Sequence, residues 1–172
     1  WPLQGICDSP YVDGKRVWYV TSRGTVVCVD TEGFHDGKNN GPFTSEPNEN
    51  KDEADLIWEF DMMKKLGVSQ HNMCSCSVTC AGNVLFVNTS NGVSFEHLGI
   101  PAPNAPSFIA MNRDTGKVLW TNKAPATAIL HGQWSSPTFA VLGDQPQVIF
   151  AGGDGWVYSF DPKGDGKGGA LL

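Results

Sequence analysis

The chain has 172 residues, 40% of them hydrophobic, with 20 Gly, 11 Pro, six Trp and nine Phe. That composition suits one domain of many short elements joined by turns and argues against a helical bundle. The formal charge of −6 gives no basic surface for a nucleic-acid backbone, and no apolar run reaches the roughly 20 residues of a membrane span. The acidity is local, because residues 30–55 hold eight acids and two lysines while the remainder balances. The chain begins at Trp1 with neither an initiator Met nor a signal-like start and ends at Leu172, which reads as a piece of a longer protein.

In chain order, "QGICDSP" (4–10) returns as "HNMCSCS" (71–77) and "HGQWSSP" (131–137). Each heptad leads into a turn, an alternating run of β-branched and aromatic residues, and a second turn at Arg23-Gly24, Asn91-Gly92 or Asp154-Gly155. Asn-Gly and Asp-Gly between apolar runs are strong hairpin signals, since both residues tolerate positive φ. A further strand follows in "DLIWEFD" (55–61) and again in "KVLWTN" (117–122), with Trp58 and Trp120 in equivalent places. The repeat predicts an all-β fold made of β-propeller blades of four antiparallel strands. Blade one spans about 5–61 with an acidic insertion at 31–54, and blade two spans about 72–122 with an insertion at 93–106. Blade three spans about 132–172 and lacks its last strand. A single short helix is expected at 60–68, stopped by Gly67. Three blades do not close a ring, so further blades from the same parent chain or another copy are expected partners.

The run "AMNRDTGKVLW" (110–120) resembles the tryptophan-docking repeat of PQQ-like propellers, with Ala110, Thr115, Gly116 and Trp120 matching and Asn112 in place of the usual Asp. The runs "IWEFDMMKKLGV", "IPAPNAPSFIAMN" and "HGQWSSP" are more closely similar to a bacterial group of secreted PQQ-binding-like propeller proteins without an established activity. The resemblance implies a secreted or periplasmic protein in which Trp58, Trp120 and Gly116 lock one blade to the next. It also implies where PQQ would sit in the enzymes of the wider family: between a tryptophan floor and a disulfide of adjacent cysteines, beside Ca²⁺. No adjacent Cys pair and no C-x-x-C-H haem site occurs here, so bound PQQ is not expected.

The innermost strand of each blade places Cys7, Cys74 and Trp134 near the central channel, with Gln4, His71 and His131 on one rim. The 93–106 insertion brings His97 to that rim, and Asp154 and Trp156 are expected there too. Histidines, a carboxylate and tryptophans suit a small ligand or a metal; the competing reading is that they only fill the channel mouth. On an extended strand, Cys74 and Cys76 would lie about 7 Å apart, too far for tetrahedral zinc with Cys80. Disulfides Cys76–Cys80 or Cys7–Cys74, or plain buried thiols, are the expectations for the cysteines. In the acidic insertion, Asp30, Asp36, Asn39 and Glu46 are candidate calcium ligands, the alternative being a solvated loop. A weaker second candidate is "DPKGDGKGG" (161–169). No nucleophile elbow, zinc-protease helix or P-loop occurs, so no catalytic residue is assigned. The leading expectation is a non-catalytic binding or scaffolding propeller that recognises a protein or glycan through rim loops. The alternative is a segment of a quinone- or metal-dependent oxidoreductase with its cofactor at the histidine-bearing rim.

Overall fold

The computed structural model describes residues 4–166 and 168–172, and its regular structure is almost entirely three antiparallel sheets joined by long loops. The first runs in sequence order through β1 (Tyr11–Asp13), β2 (Arg16–Val20), β3 (Thr25–Asp30) and β4 (Leu56–Asp61). The second repeats it with β5 (Thr79–Ala81), β6 (Val84–Asn88), β7 (Phe108–Asn112) and β8 (Val118–Asn122). The third holds β9 (Thr138–Leu142), β10 (Gln145–Ala151) and β11 (Val157–Phe160), and its edge is extended by a bridge from Phe160 to Leu171. These are three consecutive blades of a β-propeller. Among the described residues no helix is long and apolar enough to cross a membrane.

The hairpin turns at Arg23-Gly24 and Asp154-Gly155 form as the sequence predicts, with φ of +76° at Gly24 and +84° at Gly155. Asn91-Gly92 does not turn the chain directly. Asn91 pairs with Gln70, and the chain runs through the long insertion before β7 begins.

The apolar pattern explains how the sheets stack. On β6, Leu85 and Val87 face the core shared with the first sheet, while Phe86 faces the core shared with the third. On β7, Ile109 and Met111 face one way and Phe108 and Ala110 the other. The middle blade is therefore buried on both faces, which is why "FIAM" is continuously apolar instead of alternating.

Blades one and two also share an irregularity. The β3–β4 register shifts between Cys28 and Val29, and the β7–β8 register shifts between Ala110 and Met111. In each case the tryptophan pairs just before the shift, Trp58 with Cys28 and Trp120 with Ala110. A bulge re-aims the side chains beside it, and here it sits next to the one that reaches the following blade.

Helix α1 (Met62–Leu66) follows β4 directly. The Asp61 side chain accepts from Lys64 N at 2.9 Å, and Gly67, with φ +68°, ends the helix. That backbone hydrogen bond is the main cause holding the Asp61 carboxyl below its ordinary value. A depressed carboxyl stabilises the fold above the unfolded-state value near 3.9 and loses this contribution as pH falls through the folded value. Asp61→Ala is expected to cost about 1 kcal/mol at pH 7, and less as the pH drops below about 4. Urea melts of both proteins at pH 7 and pH 3 check this; an equal loss at both pH values contradicts it.

Candidate metal centre

Three histidines from separate segments meet on one rim. His71 lies in the connection from α1 to β5, His131 in the connection from β8 to β9, and His97 in the insertion between β6 and β7. Ring centroids are 4.3 Å apart for His71–His131, and 4.8 Å apart for both His71–His97 and His97–His131. One nitrogen from each ring can be chosen so that all three lie within 4.8 Å of one another.

Val93 joins two of these residues. Its carbonyl lies 3.0 Å from His71 Nδ1, and its own N–H donates to the His131 carbonyl at 2.8 Å. A carbonyl only accepts, so Nδ1 carries a proton, and in the neutral imidazole Nε2 keeps its lone pair. His71 is 2% exposed, and its Nε2 has no hydrogen-bond partner. Gly92 permits this close approach, because a Cβ there would stand 2.7 Å from His71 Cβ and 2.8 Å from the His131 carbonyl oxygen.

The third histidine arrives on a tight loop. Ser94 N donates to Gly99 O, His97 N donates to Ser94 O, and His97 takes the left-handed conformation at φ +60°. The rings of His97 and His131 are exposed, so the cluster is closed on the protein side by His71 and open outward. Loss of solvent around the His131 ring, followed by the influence of His71 and His97, lowers its titration below the ordinary imidazole value. A lowered value keeps the ring neutral and its lone pair free at neutral pH.

Trp134 forms a wall of the site, with its ring centroid 5.7 Å from that of His131 and 6.0 Å from that of His71. Its Nε1 donates to Met73 O at 3.2 Å and to His71 O at 3.4 Å. With Gln4, Asn72, Met73 and Ser75 it also lines an open cavity of about 380 Å³. Gln133, which the sequence reading passed over, is buried behind the rim. Its amide donates to Asn91 O and Ser107 Oγ and accepts from Gly153 N, tying the blade-two insertion to blade three. Only its place between Gly132 and Trp134 in a repeated heptad could have marked it.

The sequence-predicted Asp154 and Trp156 belong to the blade-three hairpin, whose Gly153 accepts from Leu130 N and donates to Gln133 Oε1 beside the rim. Asp154 accepts from Tyr158 Oη at 2.6 Å and from Trp156 N, so its carboxylate serves its own hairpin. Trp156 is 72% exposed and lines a different cavity with Val157, Tyr158 and Leu171.

In the acidic insertion, Asp30 pairs with Arg16 and accepts from Glu32 N, and Asp36 accepts from Lys38 N. Asn39 and Glu46 do meet, through Asn39 Nδ2 donating to Glu46 and also to Glu49. Buried Asp55 anchors the segment by accepting from both nitrogens of Asn40. In the second acidic run, Asp161 Oδ1 accepts from Lys163 N and Asp165 Oδ1 accepts from Gly168 N, while Lys167 lies outside the described residues.

All five cysteines are free thiols, so neither expected disulfide is present. Cys74 and Cys76 are buried with their sulfurs 3.8 Å apart, not at strand spacing, because β5 begins only at Thr79. The hydrogen bond between the two sulfurs lowers Cys74 and raises Cys76. Burial pushes Cys28 up to about 12.

Between blades, Trp58 Nε1 donates to Arg113 O at 3.0 Å, and its ring covers Gly116, where a Cβ would come within 2.6 Å. Trp120 repeats the arrangement one blade on, donating to Pro162 O at 2.9 Å and covering Gly164.

The chain matches no protein-family model and no curated protein. Among solved structures it is similar to the quinohemoprotein alcohol dehydrogenase ADHIIG from Pseudomonas putida HK5, with a TM-score of 0.61 at 15% identity over 97% of this chain and 20% of that one. It is similar to the quinohemoprotein alcohol dehydrogenase from Comamonas testosteroni, with a TM-score of 0.59 at 16% identity over 98% and 20%. A europium-containing methanol dehydrogenase gives 0.56 at 17% identity over 99% and 25%. The chain thus spans a fifth to a quarter of the length of these proteins. In fold, it is three consecutive blades of a β-propeller of the kind found in quinoprotein alcohol dehydrogenases.

Proposed function

We propose that the chain is the rim-bearing segment of a cofactor-dependent oxidoreductase built on this propeller, with its site where His71, His97, His131 and Trp134 meet. The observation that carries this reading is the buried, unpartnered Nε2 of His71 at a mouth lined by three loops. A buried acceptor left unpaired costs about 1–3 kcal/mol, a loss that a bound group recovers. The fold shared with three alcohol or methanol dehydrogenases supports the oxidoreductase class, and the rim supplies residues for the chemistry. In this reading Trp58 and Trp120 hold the blades in register, and the protein works in the periplasm or outside the cell.

The binding-scaffold reading also has an observation in its favour. Phe95 and Leu98 on the insertion and Leu130 beside His131 are exposed apolar side chains next to the histidines, the composition of a partner-recognition surface. A dye-linked assay with primary alcohols, run on the protein that carries this chain, separates the two. The oxidoreductase reading expects turnover that His71→Ala removes. Absence of turnover in the wild type, together with capture of a protein or glycan that Phe95→Ser and Leu98→Ser weaken, overturns it.

A further inference from the structure

We infer that His71, His97 and His131 form a three-imidazole site for a divalent first-row transition ion, of the zinc or copper class, with a coordination position left open to solvent. The inference rests on the reading of this rim as the functional site and names what occupies it.

The donor set selects the ion. The cluster contains three imidazoles and neither a carboxylate nor a thiolate. Imidazole suits zinc, copper, iron and nickel, whereas calcium and the lanthanides take oxygen ligands. The candidate calcium residues of the acidic insertion are engaged with Arg16, Lys38 and Glu49 instead.

The geometry is close to what such an ion needs. Metal–nitrogen bonds of about 2.0–2.1 Å put tetrahedral ligand atoms roughly 3.4 Å apart. The nitrogens here lie within 4.8 Å, so about 1.4 Å at most must be closed. The exposed rings of His97 and His131 can rotate to close it, while His71 stays fixed by its neighbours.

His71 carries the outer-shell signature of a metal ligand. Its Nδ1–H is held by the Val93 carbonyl, which sets the tautomer and ring direction and leaves Nε2 as the nitrogen without a partner. The same Val93 holds the His131 backbone, so one residue positions two ligands. Protein donors do not reach Nε2. Because His71 precedes blade two, His131 precedes blade three and His97 comes from the blade-two insertion, a bound ion ties all three segments together. Three protein nitrogens leave a fourth position for water or an exogenous ligand, the arrangement of a catalytic rather than a closed structural site.

The test is calorimetric titration of the chelator-treated chain with Zn²⁺, alongside Ca²⁺ and PQQ as separate probes, and the visible spectrum of the Co²⁺ form. One zinc per chain is expected, with a tetrahedral cobalt spectrum and no rim binding of calcium. His97→Ala lies on an exposed loop and so leaves the fold intact, and it is expected to weaken zinc at least 10- to 100-fold. His71→Gln, checked by circular dichroism for folding, is expected to abolish the cobalt spectrum. Zinc bound equally by wild type and both variants would place the ion elsewhere and overturn the inference. PQQ binding that is lost in His71→Gln, without zinc binding, would overturn the metal and leave the cofactor rim standing. Binding of neither would sink both.

Discussion

Trp58→Ala is expected to cost about 3–5 kcal/mol, the range for removing a buried large aromatic. The indole is buried in the core shared by blades one and two, and its ring fills the space above Gly116. The Arg113 carbonyl accepts from both Trp58 Nε1 and Trp18 Nε1, so one oxygen on blade two gathers two tryptophans of blade one. Trp58→Phe should keep most of the packing and lose chiefly the hydrogen bond, for a smaller cost of about 1 kcal/mol. Gly116→Ala should resemble the larger loss, since the new methyl needs φ +67° and strikes the ring. Urea melts of the three variants decide the matter. A Trp58→Ala loss under half a kcal/mol would mean that the blades are not held through this contact.

Phe150→Ala is expected to free blade three from blade two. Phe150 is fully buried, stacks on Phe108 of blade two with centroids 4.5 Å apart, and meets Phe160 edge-on at 5.9 Å. Trp120 closes the same cluster, with its ring 6.1 Å from Phe86 and 5.7 Å from Phe160. Blade three packs this aromatic face against blade two, so a loss of about 3–5 kcal/mol falls largely on its attachment. Limited proteolysis should then cut the connection between β8 and β9 well before the first two blades unfold. Trp156→Ala, at an exposed site, should change stability by under about 0.5 kcal/mol. A cooperative melt of Phe150→Ala with no early cleavage would show that the blades unfold as one unit.

Much of the fold was legible because a propeller blade is a local object. Hairpin turns, β-branched runs and a tryptophan at a fixed offset lie within a few dozen residues, and repetition made each copy support the others. The rim was legible in part. Aligned heptads placed His71 and His131 at one level, and the side of the sheet on which the insertion opens brought His97 to it. The same reasoning placed the hairpin of Asp154 and Trp156 at that level, but alignment locates a backbone position and not the direction of a carboxylate. Asp154 is held by Tyr158, four residues ahead, a side-chain pairing that repeat alignment does not register. Of the expectations for the cysteines, the plain buried thiols hold for Cys28, Cys74 and Cys76, and neither disulfide forms. Strand spacing was assumed for a segment that leaves Cys74 and Cys76 unpaired and in contact. The feature that gives the rim its chemistry, a histidine whose tautomer is set by the Val93 carbonyl, joins residues 22 apart. It follows from how the insertion folds back over Gly92, which has no periodicity to announce it.

The most direct measurement is native mass spectrometry of the chelator-treated chain after addition of Zn²⁺, beside His97→Ala treated identically. The histidine rim as a metal centre predicts one zinc ion on the wild type and none on the variant at the same concentration. Wild type without zinc, or a variant that binds it as well, would contradict it.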